Sequence, residues 1–327
     1  MRYDLDEISN GVLNGDLSYL SKSITLLEST SNKHFDLGQN ILEKVLAQTG
    51  NSIRIGITGP PGVGKSTLID ILGLYYCNQG FKTAVLAIDP SSKLSGGSIL
   101  GDKTRMTALA KHSNSYIRPT PSSGMLGGTA SRTKETILLC EAAGFEKILV
   151  ETVGVGQNEI NISSIVDVLV MLLNPSSGDE LQGIKRGILE VSDILAINKA
   201  DTDDKLVNET VLEYKNANRI ITYDKEFWQR KVIKISALEG FNLNTLVNTI
   251  ERFHKQSLEF GFFDDNRIVQ ESERMLEILK EEVLRRLFKS KDFEKEYNSQ
   301  LKKIKKKETT AIKAVKELIN YDDTSGY

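Results

Sequence analysis

Cysteine and histidine are scarce: the 327 residues include two cysteines, Cys77 and Cys140, and three histidines, His34, His112 and His254. Two cysteines can build neither a disulfide framework nor a four-cysteine zinc site. Histidines so far apart in sequence are poor material for delivering a metal. An excess of one charge is missing too. Lysine and arginine number 42 against 44 acidic residues, and a net charge of −2 gives no bulk electrostatic reason to expect a nucleic acid partner. No apolar run approaches membrane-spanning length, and the opening MRYDLDEIS has no apolar signal-peptide core. The expectation is a cytoplasmic protein without a nucleic acid or membrane partner. With 39% hydrophobic and 26% charged residues, the chain can fold as one large α/β domain with helical additions, or as two domains.

The texture of the chain changes twice. Residues 1–50 read as a helical segment: Leu17, Leu20, Ile24 and Leu27 fall on one stripe behind a cap at Asp16, and Leu37, Ile41 and Val45 on another. Across 51–256, the apolar runs IRIGIT, TAVLAI, KILVET, DVLVMLL, DILAIN and VIKISA alternate with helix-length segments. Such strands signal a largely parallel sheet covered on both faces. Residues 257–327 return to helix, with Ile268, Met275, Leu279, Val283 and Leu287 on one stripe. The run LKKIKKK (301–307) reads as a solvated helix face rather than an anion-binding tail.

The run IRIGIT leads directly into Gly59-Pro-Pro-Gly62-Val63-Gly64-Lys65-Ser66-Thr67, which fits G-x-x-x-x-G-K-[ST] and precedes a helix pattern. Glycines let backbone N–H groups turn inward around phosphates, and the helix N-terminus adds its positive end. Lys65 supplies a point charge to the β- and γ-phosphates, and the Ser66 hydroxyl suits Mg²⁺. The fold class this predicts is α/β, a P-loop NTPase.

The base is read from NKAD, which begins at Asn198 as the run DILAI ends. The Asp201 carboxylate can accept two hydrogen bonds from the N1–H and exocyclic amine of guanine. Adenine has no matching donor pair on that edge, and a polar group left unpaired rejects the wrong ligand strongly. Asn198 can bond the imidazole side of the base, and the Lys199 stem can lie along its face. One strand later, Ser236-Ala237-Leu238 is similar to the backbone-donating loop that contacts guanine O6 in GTPases. Together these predict GTP and GDP, with Mg²⁺, as ligands.

LVETVGVGQNE (149–159) looks like a switch motif with one letter changed, Glu151-x-x-Gly154 in place of Asp-x-x-Gly. With AIDPSSKLSGGSILGDKTRM (87–106), RPTPSSGMLGG (118–128) and LNPSSGDELQGIKRGILEVSDILAINKAD (173–201), it resembles the MeaB/ArgK family of P-loop GTPases, which includes the methylmalonic aciduria type A protein. The resemblance runs from about residue 35 to 255. It implies a homodimeric G domain with helical extensions, the C-terminal one serving dimerisation. It also implies a chaperone role that gates cofactor delivery to an adenosylcobalamin-dependent acyl-CoA mutase, methylmalonyl-CoA mutase above all. Glu-x-x-Gly is the family's own form of the motif. By the same resemblance Asp89 and Glu151 lie near the metal, Asp102 belongs to the first switch, and Asp179 and Lys185 to the third. Lys65, Asp102, Glu151, Asp179 and Lys185 are thus the catalytic candidates. LNPSSGDELQG departs from the family's usual Pro-Gly-Ala/Ser-Gly-Asp form while keeping the acid and the lysine.

Each switch residue has a plainer alternative. Asp89 before Pro90 is a good turn former. Asp102 can cap a helix beginning at Lys103. Glu151 can face solvent, and Asp179 can pair with Lys185 on the surface. Gln157 lies further from Gly154 than the water-positioning glutamine of Ras-like proteins lies from its glycine. Rival functions are an ATPase or kinase of a lysine/arginine/ornithine transport system, which NKAD argues against, a metal-inserting GTPase, and a scaffold with a vestigial pocket.

Overall fold

The computed structural model describes residues 4–89, 106–121, 128–152, 162–175, 186–220, 223 and 225–324. The described residues form seven strands, β1 Ile53–Thr58, β2 Thr83–Asp89, β3 Ser115–Pro121, β4 Lys147–Thr152, β5 Val168–Leu173, β6 Ile194–Ile197 and β7 Lys231–Lys234. They make one sheet in the order β3-β2-β4-β1-β5-β6-β7, with every pairing parallel. The α/β, P-loop NTPase fold expected from the sequence is the fold found.

Alternation explains why the strands read as unbroken apolar runs. Ile53, Ile55, Ile57, Leu149, Val168, Val170 and Leu172 point into one core, with helices α4 Lys65–Asn78 and α8 Leu243–Glu259. Ile148, Val150, Leu169, Met171 and Leu173 point into the other. Successive side chains of a strand leave opposite faces, so a sheet covered on both sides needs apolar residues at every position.

The second core is closed by the N-terminal helices α1 Leu5–Leu13, α2 Leu17–Glu28 and α3 Asn32–Val45, packed with α5 Gly128–Ala142. The Asp16 side chain caps α2 by accepting from the Ser18 and Tyr19 N–H groups. Leu20, Ile24, Leu27, Ile41 and Val45 are buried, whereas Leu17 is exposed. The chain divides into two compact units, 1–270 and 271–327, so these helices belong to the unit that holds the sheet.

β3 is a strand that the apolar-run reading did not include. It lies at the sheet edge and pairs with β2 alone. Pro119 and Pro121 have no N–H to donate, which an edge strand tolerates and a central one does not.

At the amino ends of the strands lies a buried ion network. Arg54 of β1 makes a fork with Glu141 of α5, Nε to Oε1 at 2.8 Å and Nη2 to Oε2 at 3.0 Å. Arg267, on helix α9 Phe262–Leu287, makes another with Asp167, at 2.9 and 2.7 Å, and also donates to the carbonyls of Gly50 and Ser52. Burial alone would raise the Glu141 pKa, but the bonds and charge of Arg54, joined by Arg267, hold it below the usual carboxylate value.

The second unit contains α10 Lys291–Lys305 and α11 Ala311–Thr324, which enclose Phe293, Ala314 and Leu318. The expected stripe is not covered: Met275 is 70% exposed, Leu279 56% and Val283 47%. No helix among the described residues is long and apolar enough to cross a membrane.

Candidate nucleotide site

The carboxyl ends of β1, β4 and β6 bring three separate sequence motifs together. β1 runs out into the glycine loop, whose last residue, Gly64, is the N-cap of α4 at φ 100°. Gly59 has φ 140°, and a Cβ there would stand 2.4 Å from the Leu172 carbonyl oxygen. A Cβ on Gly64 would stand 2.5 Å from Asn198 Nδ2. Both positions therefore exclude a side chain twice over, by conformation and by space. Gly62 also has a positive φ, with open space where its Cβ would be. The backbone is turned as a phosphate cradle requires.

Lys65 is buried, and its Nζ donates to the carbonyls of Gly59 at 2.7 Å and Pro60 at 3.1 Å. Its ammonium is thereby held against the loop that it follows in sequence. Ser66 Oγ donates to Glu151 Oε1 at 3.0 Å. The sheet register accounts for that meeting, because Ile57 of β1 pairs with Glu151 of β4. Glu151 is 8% exposed, so the alternative in which it faces open solvent does not describe its position. Beside it, the buried Thr152 hydroxyl donates to Thr58 Oγ1 at 3.1 Å, a cross-strand bond that sequence reading missed.

Ser66 and Glu151 are hard oxygen donors on adjacent elements, and such donors suit Mg²⁺, which takes few protein ligands and completes its shell with phosphate and water. The described residues assemble no cluster of three or more His, Cys, Asp or Glu side chains, so an all-protein metal cage is not what they offer. Asp89 is the last residue of β2, whose Ala87 and Ile88 pair with Glu151 and Thr152. Its backbone is therefore on the same rim of the sheet. Asp102, Gly154, Gln157, Asp179 and Lys185 lie outside the described residues.

The base loop is tied to the phosphate loop by one side chain. Asn198, 2% exposed, donates from Nδ2 to the Val63 carbonyl at 2.7 Å, and its Oδ1 accepts from the Ala237 N–H at 2.9 Å. The sequence assigned this amide to the base, but its two ends already join the three nucleotide loops to one another. A polar residue ending an apolar strand was the available signal for such a brace. Lys199 follows at φ 60°, and Asp201 is exposed. Ser236 and Ala237 are buried, while Leu238 is 78% exposed.

The order of the motifs along the chain and their meeting on one rim of a parallel sheet define a P-loop GTPase. The model of the family described as methylmalonyl Co-A mutase-associated GTPase MeaB matches residues 20–292, and the chain belongs to that family. A probable GTPase of Mycobacterium tuberculosis is 42% identical over 316 residues, 96% of this chain and 94% of that protein. The mitochondrial methylmalonic aciduria type A homolog of Mus musculus is 42% identical over 291 residues, 86% of this chain and 70% of that protein. A crystal structure described as a LAO/AO transport system kinase superposes with a TM-score of 0.81 at 31% identity, covering 99% of this chain and 100% of that one.

Proposed function

We propose that this GTPase uses the GTP–GDP cycle as a switch, acting as a chaperone that gates cofactor loading of an adenosylcobalamin-dependent acyl-CoA mutase, methylmalonyl-CoA mutase first. The observation that carries the switch is the Ser66–Glu151 contact of 3.0 Å, because Glu151 stands at the root of the VGVGQNE stretch. A carboxylate fixed there links what the phosphate loop holds to the segment that follows. The mutase as client is supported by the family's description and by the name of the mouse relative.

In this reading the loop from Gly59 to Thr67 holds the phosphates, Lys65 faces the β- and γ-oxygens, and Asn198, Lys199 and Asp201 with the Ser236–Leu238 loop read guanine. Ser66, Glu151 and Asp89 hold Mg²⁺, which would neutralise developing phosphate charge. Asp102, Asp179 and Lys185 complete the apparatus when the client engages, with Lys185 as the cation that approaches the phosphates. Phosphoryl transfer depends on positioning and on cations against developing charge, so the protein alone should turn over slowly.

The test is GTP turnover, with ATP as control, alone and with the mutase. Stimulation by the mutase is expected in the parent, and its loss with unchanged GTP affinity in Lys185→Ala. An ATP preference would favour the kinase, and equal stimulation of the variant would return Lys185 to the surface.

The chain also acts as a homodimer in this reading, through the uncovered stripe of Met275, Leu279 and Val283. An apolar face of this kind marks an association surface. Light scattering should give twice 36.4 kDa for the parent and that single mass for Met275→Glu/Leu279→Glu; a monomeric parent would exclude the dimer.

A further inference from the structure

A cavity of about 650 Å³ lies at the sheet pole away from the nucleotide loops, lined by residues from the end of helix α7 Asp204–Ala217 to the start of β7. Among the described residues, its wall carries Lys215, Arg219, Lys225, Arg230 and Lys231 against one carboxylate, Glu226. Lys225 is already neutralised, with its Nζ 2.5 Å from Asp193 Oδ1. Among the described residues, Lys215, Arg219, Arg230 and Lys231 make no direct ion pair, and Asp193 and Glu190 act on Arg230 only from nearby.

Arg230 is the unusual member. It is 4% exposed, and its guanidinium donates only to neutral acceptors, Nε to the Ser192 carbonyl at 2.8 Å, Nη1 to Asn218 Oδ1 at 3.0 Å and Nη2 to the Glu190 carbonyl at 2.9 Å. A guanidinium has five N–H donors, so one remains on each terminal nitrogen. The Tyr223 ring, 4.5 Å from its central carbon, fixes its plane. Burial pulls its pKa down, against the pull of nearby Asp193 and Glu190, so the charge is held at a cost. A buried charge whose counter-ions stand only at a distance is costly, and an anion bound directly would lower that cost.

Shape decides what kind of counter-ion fits. A concave site of this size takes a small molecule, not a flat membrane or a long helix. A rigid guanidinium fork backed by flexible lysines matches phosphate oxygens. The Lys-rich helix Lys291–Lys305 offers the contrast, since its charges stand on an exposed face interleaved with acids such as Asp292 and Glu294.

We propose that this cavity binds a small phosphate-bearing anion of the diphosphate type, with Arg230 as the fixed donor and Lys215, Arg219 and Lys231 as the closing cations. The nucleotide loops leave the other ends of β6 and β7. Four residues of strand span roughly 13 Å, so both sites can be filled together.

The experiment is a calorimetric titration of pyrophosphate, at low salt, into full-length protein saturated with a fluorescent GDP analogue and Mg²⁺. One saturable equivalent is expected in the parent, with no change in the fluorescence of the bound GDP. Lys215→Ala/Arg219→Ala, confined to exposed side chains, should bind at least tenfold more weakly. The inference is overturned if no saturable heat appears, if the double variant binds equally well, or if the GDP analogue is displaced, which would place pyrophosphate in the phosphate loop. Binding to anionic phospholipid vesicles without binding of pyrophosphate would likewise overturn it in favour of a membrane surface.

Discussion

The two ends of the sheet are built on opposite plans. At the carboxyl ends, turned backbone sets the plan and side chains brace it: Gly59 and Gly64 leave no room for side chains of their own, and the Asn198 amide braces the phosphate loop against the Ala237 N–H. At the amino ends, side chains set the plan, with Arg54 forked on Glu141 and Arg267 forked on Asp167. The first plan keeps donors and a carboxylate poised for a ligand, and the second answers the guanidinium groups of Arg54 and Arg267 with carboxylates of the protein itself. Stability and function are thereby separated by the length of a strand, and substitutions should separate them too.

The largest effect is expected at the amino pole. Glu141→Gln leaves the Arg54 guanidinium, 3% exposed, without its charge partner. Breaking a buried pair from one side costs about 3–5 kcal/mol. GTP affinity should stay within about twofold, because no nucleotide loop is touched. The pH dependence has a definite sign. Because the folded Glu141 pKa is depressed, its contribution is fully present above the ordinary glutamate value near 4.3 and is lost as pH falls through the lower folded value. The stability gap between parent and variant should therefore be flat from about pH 6 to 8 and narrow below about pH 4. Denaturant titrations at several pH values measure it, and a gap that widened in acid would contradict the assignment.

Asp201→Asn makes the converse cut. Asp201 is exposed, so the fold should lose almost nothing. Two hydrogen bonds from guanine to a carboxylate are exchanged for a mismatched amide, and bonds to charged groups are worth about 1.5–3 kcal/mol. GTP affinity should fall on the order of 10- to 100-fold. Xanthine nucleotides, with a carbonyl where guanine has its amine, should gain. Unchanged GTP affinity would remove Asp201 from the base site.

What could be read from the sequence follows the same division. The six apolar strands, the glycine loop and NKAD were all legible, because each is a local pattern with a local cause. β3 was not, since Pro119 and Pro121 contradict the apolar-run signature and only an edge position excuses them. The amino-pole network was invisible for a different reason. Arg54, Glu141, Asp167 and Arg267 are separated by up to 213 residues, and nothing local marks a charged residue as buried. Asn198 was legible as the polar residue that opens NKAD, but its two hydrogen bonds, to the Val63 carbonyl and from the Ala237 N–H, depend on where three loops meet.

The smallest effect tests whether strain sits where function needs it. Lys199 and Lys307 share the left-handed backbone, at φ 60° and 59°, one inside NKAD and the other just beyond helix Lys291–Lys305. For a residue with a Cβ this conformation costs about 1 kcal/mol, which glycine avoids. Part of that gain is offset by the greater freedom of an unfolded glycine. Lys307→Gly should therefore raise stability by up to about 1 kcal/mol with GTP affinity unchanged, since the position ends a helix where glycine is favoured. Lys199→Gly should relieve the same strain but weaken GTP binding several-fold, because the stem proposed to lie along the base is gone. Denaturant midpoints and GTP affinities for the pair decide the matter. If Lys199→Gly kept full affinity, the strained lysine would be there for its backbone alone, and function would not distinguish it from Lys307.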